Sequence, residues 1–242
     1  MNPGLGASRE RGLHAQVVDV LGQEIVEGRH AVGSIVNVDE LGTRFGVSRS
    51  VLREALRVLQ SLGMVEPRQR VGTQVLPRIA WDLMNPQVIV WRGRGTEYFT
   101  QMRELLELRL GLEPVAARLA ATAMTPIQAA LVQQAATTMV ESGTAGDGRR
   151  YLEADVAFHT TILQSCGNAV IGHFATTVEA LLRTRVEEKR FTITDYTPAA
   201  ADRHFALAAA LADRDPEAAY AASFALLTDT VDEFVREAPT PG

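Results

Sequence analysis

Three side chains in the second half of the chain have the types and spacing of a metal site. Asp155 and His159 stand four residues apart in the segment DVAFH, so on a helix both project from the same face. His204 lies in a later segment, where the surrounding apolar residues indicate a partly buried helix face. A carboxylate and two imidazoles that converge inside a helical bundle can bind zinc, nickel or manganese. Taken alone, an Asp-x3-His pair is also typical of a surface ion pair or a helix cap.

Arginines near the amino terminus form a second group with chemical potential. Arg49, Arg53 and Arg57 recur every four residues in the segment SRSVLREALRVL, so they form one stripe along a helix. Arginine can pair bidentately with a guanine edge or bind a phosphate, and a helix with such a stripe can enter the major groove of DNA. An amphipathic surface helix followed by an ordinary hairpin is the simpler alternative. We favour DNA binding because the stripe stands among other DNA-binding features in a fixed order.

The flanking residues predict the elements that position this stripe. Gly46 ends a short helix, and Ser48 is a good N-cap for the next one, in which apolar residues recur at helical spacing. After Gly63, two strand-like segments enclose a basic tip and predict a β-wing. The side chains and backbone predicted to contact DNA belong to the second helix and the wing: Ser48, Arg49, Ser50, Arg53, Arg57, Arg68, Arg70 and Gly72.

Composition and charge limit the class of protein. With 242 residues, of which 46% are hydrophobic, the chain can fill one large core or two domains. No apolar run approaches the roughly 18–20 residues that span a bilayer, and Met1–Glu10 lacks the apolar core of a signal peptide, so we expect a cytoplasmic protein. The single Cys166 excludes an intrachain disulfide and a cysteine-based zinc site. The net charge of −5 is uneven, because residues 1–76 hold 9 arginines against 8 acidic residues.

The chain divides into a DNA-binding part, a connector and a helical part. We expect a winged helix-turn-helix over residues 10–76, a linker over 77–96 and an antiparallel all-helical bundle over 97–238, so the fold class is mainly α. Trp81 and Trp91 of the linker predict a short helix that is packed onto a domain surface. The helices predicted for the last part are Glu97–Met124, Thr125–Glu141, Arg149–Ser165, Asn168–Phe191, Thr197–Asp213 and Pro216–Glu237.

The segment Ile25–Val75 resembles the winged helix-turn-helix of the GntR family of bacterial transcription regulators. The family motifs I-x-x-G, V-S-R-x-x-[VL]-R-E-A-L, L-x-x-x-G-[LM]-[VI] and G-T-x-V correspond to Ile25–Gly28, Val47–Leu56, Leu59–Val65 and Gly72–Val75. Val32-Gly33 and Val36 replace the prolines that are usual in the turn, and Asp39 and Glu40 stand where a basic DNA-contacting residue is common. We expect a homodimer that binds double-stranded operator DNA at the nucleoid, because one recognition helix reads too few bases for genomic specificity.

The segment Leu105–Leu227 resembles the helical effector domain called FCD, which accompanies many winged helices of this family. The motifs that carry the resemblance are Arg109–Glu113, Asp155–Asn168 and His204–Asp215. Most such domains bind a divalent metal through an aspartate and three histidines. Asp155, His159 and His204 match the first three ligands, whereas the fourth would fall at or near Leu226. The effector residues that the resemblance implies are Arg109, Asp155, His159, Asn168 and His204.

The missing fourth ligand leaves two interpretations. In the first, Asp155, His159 and His204 hold the metal, and water and a carboxylate effector complete its coordination. In the second, no metal binds, and the polar cluster with Arg109 binds an anionic effector directly. We favour the first, because three protein ligands leave open positions for an exchangeable small molecule.

The function expected from these features is that of a ligand-responsive transcription regulator, a repressor in the commoner mode of the family. The linker segment WDLMNPQVIVW, the segment LEPVAARLAA and the missing histidine resemble the members that respond to sugar acids such as galactonate. A small carboxylate effector, for example an aldonate, is therefore expected. The alternative is a helical metal-dependent hydrolase or lyase with a fused DNA-binding module. We expect no enzyme, because no general base, nucleophile motif or phosphate loop accompanies the cluster.

Overall fold

The chain consists of two units, each with its own apolar core, and the boundary between them lies between Glu97 and Tyr98. The computed structural model describes residues 3–187 and 198–237, and side chains are described for residues 12–184 and 200–236. The first unit combines helices with a small sheet, and the second is helical throughout its described residues. This arrangement confirms the predicted fold class.

The first unit is a winged helix-turn-helix. Its helices are α1 (Pro3–Val26), α2 (Val38–Phe45), α3 (Arg49–Ser61) and α4 (Pro86–Arg94). Its strands β1 (Ile35–Val36), β2 (Val65–Arg68) and β3 (Gly72–Val75) form an antiparallel sheet in the order β1-β3-β2. The sequence indicated β2 and β3 but not β1, because a two-residue strand is too short to show an alternating pattern.

The two helices of the helix-turn-helix begin and end at residues suited to those positions. The Asn37 side chain accepts hydrogen bonds from the backbone N–H groups of Asp39 and Glu40 and so caps α2. Gly46 ends α2 in the left-handed conformation, with φ 62°. Ser48 then caps α3, as predicted, by accepting a hydrogen bond from the N–H of Val51. The apolar face of α3 is buried through Leu52, Ala55, Leu56 and Leu59.

The connector segment contains α4, which packs on α1 within the same unit. The Trp91 side chain is fully buried, and its indole N–H donates a hydrogen bond to Asp19 Oδ1 at 2.8 Å. Trp81 donates its indole N–H to the backbone carbonyl of Leu76 at 3.0 Å. Both tryptophans therefore have packing roles, as the sequence predicted.

The second unit is a bundle of helices. Its members are α5 (Tyr98–Ala123), α6 (Pro126–Ala145), α7 (Gly148–Gln164), α8 (Ala169–His173), α9 (Ala175–Glu187), α10 (Pro198–Ala212) and α11 (Pro216–Glu237). The long helix α5 packs against α11, α6 packs against α7, and α10 packs against α6 and α11. Buried alanines of α5, such as Ala116, Ala117 and Ala120, line this core and let the helices approach closely.

One predicted helix, Asn168–Phe191, is broken in the structure. It is replaced by the short α8 and by α9, which are separated at Phe174. Phe174 keeps a nearly helical backbone, with φ −70° and ψ −10°, so the apolar spacing continues across the break. For this reason hydrophobic periodicity could not reveal it. The last part of the predicted helix, residues 188–191, lies outside the described residues.

Gly22 should be intolerant of a side chain because α4 lies against α1 there. A Cβ at Gly22 would lie 2.5 Å from the buried Trp91 ring, whereas a Cβ at Gly12 of the same helix would meet nothing within 4 Å. Gly22→Ala should lower the free energy of unfolding by about 1–3 kcal/mol through overpacking. Gly12→Ala should raise it by up to about 1 kcal/mol through helix propensity.

Urea unfolding followed by tryptophan fluorescence checks this prediction. The chain has 2 tryptophans, and both Trp81 and Trp91 lie in the first unit, so the signal reports that unit. Equal stability of the two alanine variants would contradict the close packing of α4 on α1.

Candidate DNA-binding surface and metal site

The exposed face of α3 carries the residues that the sequence predicted for DNA contact. Ser48, Ser50 and the three stripe arginines, Arg49, Arg53 and Arg57, are all exposed, while the opposite face is buried. The hydroxyl oxygens of Ser48 and Ser50 lie 2.8 Å apart at the start of the helix. The structure therefore places these residues together on one surface, with a helix amino terminus at one end.

The wing presents Arg68 at the end of β2 and Arg70 in the three-residue loop between β2 and β3. Arg70 has the left-handed backbone conformation, with φ 62°, which is uncommon for a residue with a side chain. Gly72 has φ 128°, and a Cβ there would come within 2.8 Å of the Ile35 side chain. Gly72 thus has a backbone role, since it lets β3 pass β1, while the arginines supply the charge.

Acidic side chains pair with three of the exposed arginines. Arg49 Nη2 lies 2.9 Å from Asp39 Oδ1, which joins the start of α3 to the start of α2. The other two pairs are Arg57–Glu54 and Arg68–Glu66, each with an N–O distance of 2.5 Å. In the described part of the chain, Arg53 and Arg70 have no acidic partner. The five arginines therefore differ in how much of their charge is available to a phosphate.

A buried carboxylate, Glu24 of α1, holds α2 in place behind this surface. Only 2% of its side chain is exposed, and it accepts hydrogen bonds from both terminal nitrogens of Arg44. His30 Nε2 lies 3.0 Å from the second Glu24 oxygen. The hydrogen bonds from Arg44 outweigh the effect of burial and lower the pKa of Glu24 to about 2.

The structure brings together the three predicted metal ligands. Asp155 and His159 lie on α7 and His204 on α10, and all three side chains are buried. Asp155 Oδ1 lies 3.3 Å from His159 Nε2 and 3.6 Å from His204 Nε2. One ligand atom from each residue falls within 4.8 Å of the other two.

Hydrogen bonds to the outer nitrogens turn both imidazoles toward Asp155. His159 Nδ1 lies 2.7 Å from Glu113 Oε2, and His204 Nδ1 donates to the carbonyl of Ala200 at 2.7 Å. With a proton on each Nδ1, the neutral rings would direct their Nε2 lone pairs to the same point. Proteins orient metal-bound histidines in this way, through a carboxylate or carbonyl on the outer nitrogen.

Glu113 lies between two cationic groups and was not assigned a role from the sequence. Its Oε1 accepts a hydrogen bond from Arg109 Nε at 2.5 Å, while its Oε2 faces His159. The spacing of four residues from Arg109 on one helix was the feature that could have revealed it. Burial alone raises the pKa of Glu113, but the charges of Arg109 and His159 outweigh it and lower the pKa to about 2.

The pKa values of the other two buried groups shift in opposite directions. Burial raises the pKa of Asp155, but the neighbouring imidazole groups of His159 and His204 outweigh it and bring the pKa well below its ordinary value. Burial lowers the pKa of His159, and the negative charge of Glu113 outweighs that effect and raises the pKa. Asp155 is therefore an anion, which is the form that binds a cation.

The residues of this cluster fit a divalent metal. His204 Nε2 is buried and has no hydrogen-bond partner, although it points to Asp155. An unpaired buried nitrogen is costly, and a metal ion would take its lone pair. Within the described part of the chain, no fourth ligand joins the group. Leu226, where the family resemblance placed the last histidine, is a buried leucine of the same core as Phe158.

Two predicted effector residues differ in their positions. Arg109 is buried beside Glu113, and it also lines a cavity whose other walls are mostly apolar: Leu105, Leu108, Leu112, Phe174, Thr177, Val178 and Leu181. Asn168 is exposed, and its side-chain oxygen accepts hydrogen bonds from the N–H groups of Val170 and Ile171 at the start of α8. Asn168 is thus a helix cap and not a member of the buried cluster.

The fold and the two sites define a class of protein. A winged helix-turn-helix with an exposed arginine face is joined to a helical unit with a buried polar cluster, which is the organisation of a DNA-binding transcription regulator with an effector domain. Residues 13–75 match the family of bacterial regulatory proteins called gntR, and residues 104–229 match the FCD domain. The chain belongs to the GntR family, as a ligand-responsive, DNA-binding transcription regulator with an FCD domain, and is not an enzyme.

Known relatives agree with this assignment. The chain is 32% identical over 222 residues to the uncharacterized HTH-type transcriptional regulator YieP of Escherichia coli (strain K12), covering 90% of this chain and 94% of that protein. It is 27% identical to the galactonate operon transcriptional repressor of the same organism, covering 89% and 93%. The solved structure of Lar from Listeria monocytogenes has the same fold, with a TM-score of 0.60, 17% identity and coverage of 92% and 96%. No helix in the described residues is long and apolar enough to cross a membrane.

Acid should weaken the first unit through Glu24. Because the pKa of Glu24 is about 2 in the folded protein and 4.5 without these contacts, its contribution is fully present above pH 4.5 and is lost as the pH falls toward 2. Glu24→Gln should lower the free energy of unfolding by about 1–3 kcal/mol at pH 7. The difference between this variant and the wild type should shrink on acidification.

Urea unfolding between pH 7 and pH 3, followed by tryptophan fluorescence, measures this difference. Glu27→Gln, which removes the same charge from a partly exposed side chain, is the matched control and should keep the acid dependence that Glu24 contributes. If the difference in the free energy of unfolding between Glu24→Gln and the wild type does not change with pH, Glu24 does not have a lowered pKa in the folded protein.

Proposed function

We propose that this chain is a homodimeric repressor that leaves its operator when a small carboxylate binds in the helical unit. The observation that carries the proposal is the presence of two distinct sites in one chain. One is an exposed arginine face on a capped helix, and the other is a buried cluster of aspartate, histidines and arginine. The first suits reversible DNA binding, and the second suits a small anionic ligand.

On this proposal α3 is the recognition helix. Ser48, Arg49, Ser50, Arg53 and Arg57 would enter the major groove, with arginine forks directed at guanine edges or phosphates. Arg68 and Arg70 of the wing would bind the adjacent backbone or the minor groove. The left-handed backbone of Arg70 supports this role, because a glycine or asparagine would adopt it more easily and the position nevertheless carries an arginine.

The homodimer follows from the number of bases that one helix can read. A single recognition helix contacts too few base pairs to select one site in a genome, and a two-fold dimer reads two half-sites about one helical turn apart. Its operator would therefore be a pseudo-palindrome of double-stranded DNA. The place of action would be the nucleoid in the cytoplasm, where that DNA lies.

The buried cluster would hold a divalent metal in the second unit. Asp155, His159 and His204 would be its protein ligands, with zinc, nickel or manganese as candidates. A bound metal would supply positive charge and open positions for an exchangeable ligand. With Glu113 and Asp155 ionised and Arg109 charged, a divalent cation would leave one positive charge in a buried site. An anionic effector would neutralise it.

Arg109 would recognise the carboxylate of that effector. A guanidinium has five N–H donors, and Glu113 engages donors on Arg109 Nε and Nη2. Donors remain on Nη1, and Arg109 lines a small, mostly apolar cavity that would have to widen to admit the carboxylate. An aldonate is our first candidate, because a related protein is the galactonate operon transcriptional repressor and a 2-hydroxy acid can chelate a metal.

DNA binding should depend on Arg49. We expect the protein to bind the intergenic DNA upstream of its own gene and to release it when a pool of sugar acids is added. The release corresponds to a coupling free energy of about 1–3 kcal/mol, a 5- to 150-fold loss of affinity. Arg49→Ala should bind that fragment no better than random DNA, because a bidentate base contact is lost.

Fluorescence anisotropy measures both quantities on the same labelled duplex. Arg150→Ala, which removes an exposed and ion-paired arginine from α7, is the matched control and should bind as the wild type does. Undiminished discrimination by Arg49→Ala would exclude α3 as the reading helix. Binding without release would retain the regulator and reject the sugar acids as effectors.

The metal ligands should be needed for the response and not for DNA binding. Zinc, nickel or manganese should raise the thermal unfolding midpoint of dialysed wild-type protein, because a ligand that binds only the folded state stabilises it. Asp155→Ala and His204→Ala should lose this shift and the effector response while they retain operator affinity. His173→Ala, which changes an exposed histidine of α8, is the control.

Thermal unfolding followed by calorimetry, with and without each metal, tests metal binding. The anisotropy assay separately tests the effector response. A wild type that gains no stability from any of the three metals would exclude the metal site. A normal effector response in Asp155→Ala and His204→Ala would show that the effector binds elsewhere.

A further inference from the structure

Asp39 occupies an unusual place on the DNA-binding surface. It lies in the first turn of α2, where a basic residue is common in the family, and its carboxylate contacts Arg49 in the first turn of α3. The contact joins the two helices of the helix-turn-helix, unlike the Glu54–Arg57 pair, which lies within α3. Both side chains are open to solvent, with 73% of Arg49 and 68% of Asp39 exposed. The pair therefore stands where DNA would approach.

We propose that Asp39 is a specificity-determining residue that positions Arg49 for a base edge and disfavours its use as a phosphate ligand. The inference rests on the proposed function, because it takes α3 as the recognition helix. It deepens that function by distinguishing Arg49, which would read the DNA sequence, from the other arginines of the surface, which would bind the phosphate backbone of the DNA.

The backbone on both sides of the pair is well fixed. The Asp39 N–H donates to Asn37 Oδ1 at 3.0 Å, and the Thr43 hydroxyl donates to the Asp39 carbonyl at 3.0 Å. Arg49 follows directly on Ser48, whose side chain caps α3. A pair of exposed charges contributes little to stability, but two rigid helix starts let it set the direction of the guanidinium.

The remaining donors of Arg49 suit a guanine. Asp39 Oδ1 engages Nη2, so other N–H groups of the planar fork are left for the O6 and N7 acceptors of one base. A fork that is already oriented loses less conformational entropy when it binds. Asp39 thereby favours the bidentate contact.

The charge of Asp39 also disfavours the phosphate backbone. If Arg49 turned to a phosphate, the Asp39 carboxylate would come close to the negatively charged phosphate. The repulsion between the two groups grows as their separation falls. Base edges in the major groove carry no net charge, so they escape this penalty. Arg53, one turn further along α3, has no acidic partner in the described part of the chain and keeps its full charge for phosphates in any sequence.

The test compares Asp39→Asn with Glu40→Gln in the full-length protein. The two changes remove one negative charge each from neighbouring residues in the first turn of α2, so they alter the helix dipole interaction and the net charge alike. Glu40 has no ion pair in the described structure, which makes it the matched control. A binding motif is first selected by the wild type from randomised DNA duplexes, and the affinities for motif and random duplex are then measured for each variant.

Asp39→Asn should lose about fivefold in the ratio of motif to random affinity, the size expected for an exposed ion pair. Its binding to random DNA should also show a steeper salt dependence, by up to about 0.9 in the logarithmic slope, because Arg49 can then neutralise a phosphate. Glu40→Gln should retain the wild-type ratio and slope. Asp39→Glu, which keeps the carboxylate, should restore most of the ratio.

Equal ratios for Asp39→Asn and Glu40→Gln would overturn the inference, as would improved discrimination by Asp39→Asn. If the wild type enriches a motif and both variants discriminate it equally well, only this inference is rejected. Failure of the wild type to enrich any motif removes the proposed function itself and the inference with it. The two failures are thus distinguishable in one experiment.

Discussion

The helical unit depends on one buried carboxylate, Glu113, which joins Arg109 to His159. A buried charge without a partner costs several kcal/mol, so these three residues must be placed together when the unit folds. Arg109 and Glu113 come from α5 and His159 from α7, and the hydrogen bond to His159 fixes which ring nitrogen faces Asp155. The orientation of the candidate metal ligands is therefore a consequence of charge pairing in the core.

The first unit also contains a buried carboxylate that is paired with a basic side chain, here behind the DNA-binding surface. Glu24 is buried behind the helix-turn-helix and binds Arg44 of α2, so the angle of the DNA-binding helices depends on a paired charge in the interior. The pairs on the outer surface are of another kind, since Asp39 and Arg49 are both exposed and their ion pair contributes little to stability.

Two departures from the family pattern concern residues that the two proposed sites would use. Leu226 removes the last histidine of the implied ligand set, and its side chain is buried in the apolar core. Asp39 replaces a basic residue on the DNA-binding face and pairs with an arginine instead. In our proposal the first leaves coordination positions open to an effector, and the second refines the choice of DNA sequence.

The sequence by itself determined the helix-turn-helix, the arginine stripe and the trio Asp155, His159 and His204, because periodicity and caps are local and the family motifs preserve their order. It showed the four-residue spacing of Glu113 from Arg109 but not the role of that pair, because the same spacing is typical of a surface ion pair and only packing decides that this one is buried. It also assigned Asn168 to the effector site, whereas in the structure Asn168 is the exposed cap of α8. Pairing of Asp39 with Arg49 was likewise invisible, because the two residues lie on different helices. The tertiary structure decided these points, since burial and contacts between helices set which charges must be paired.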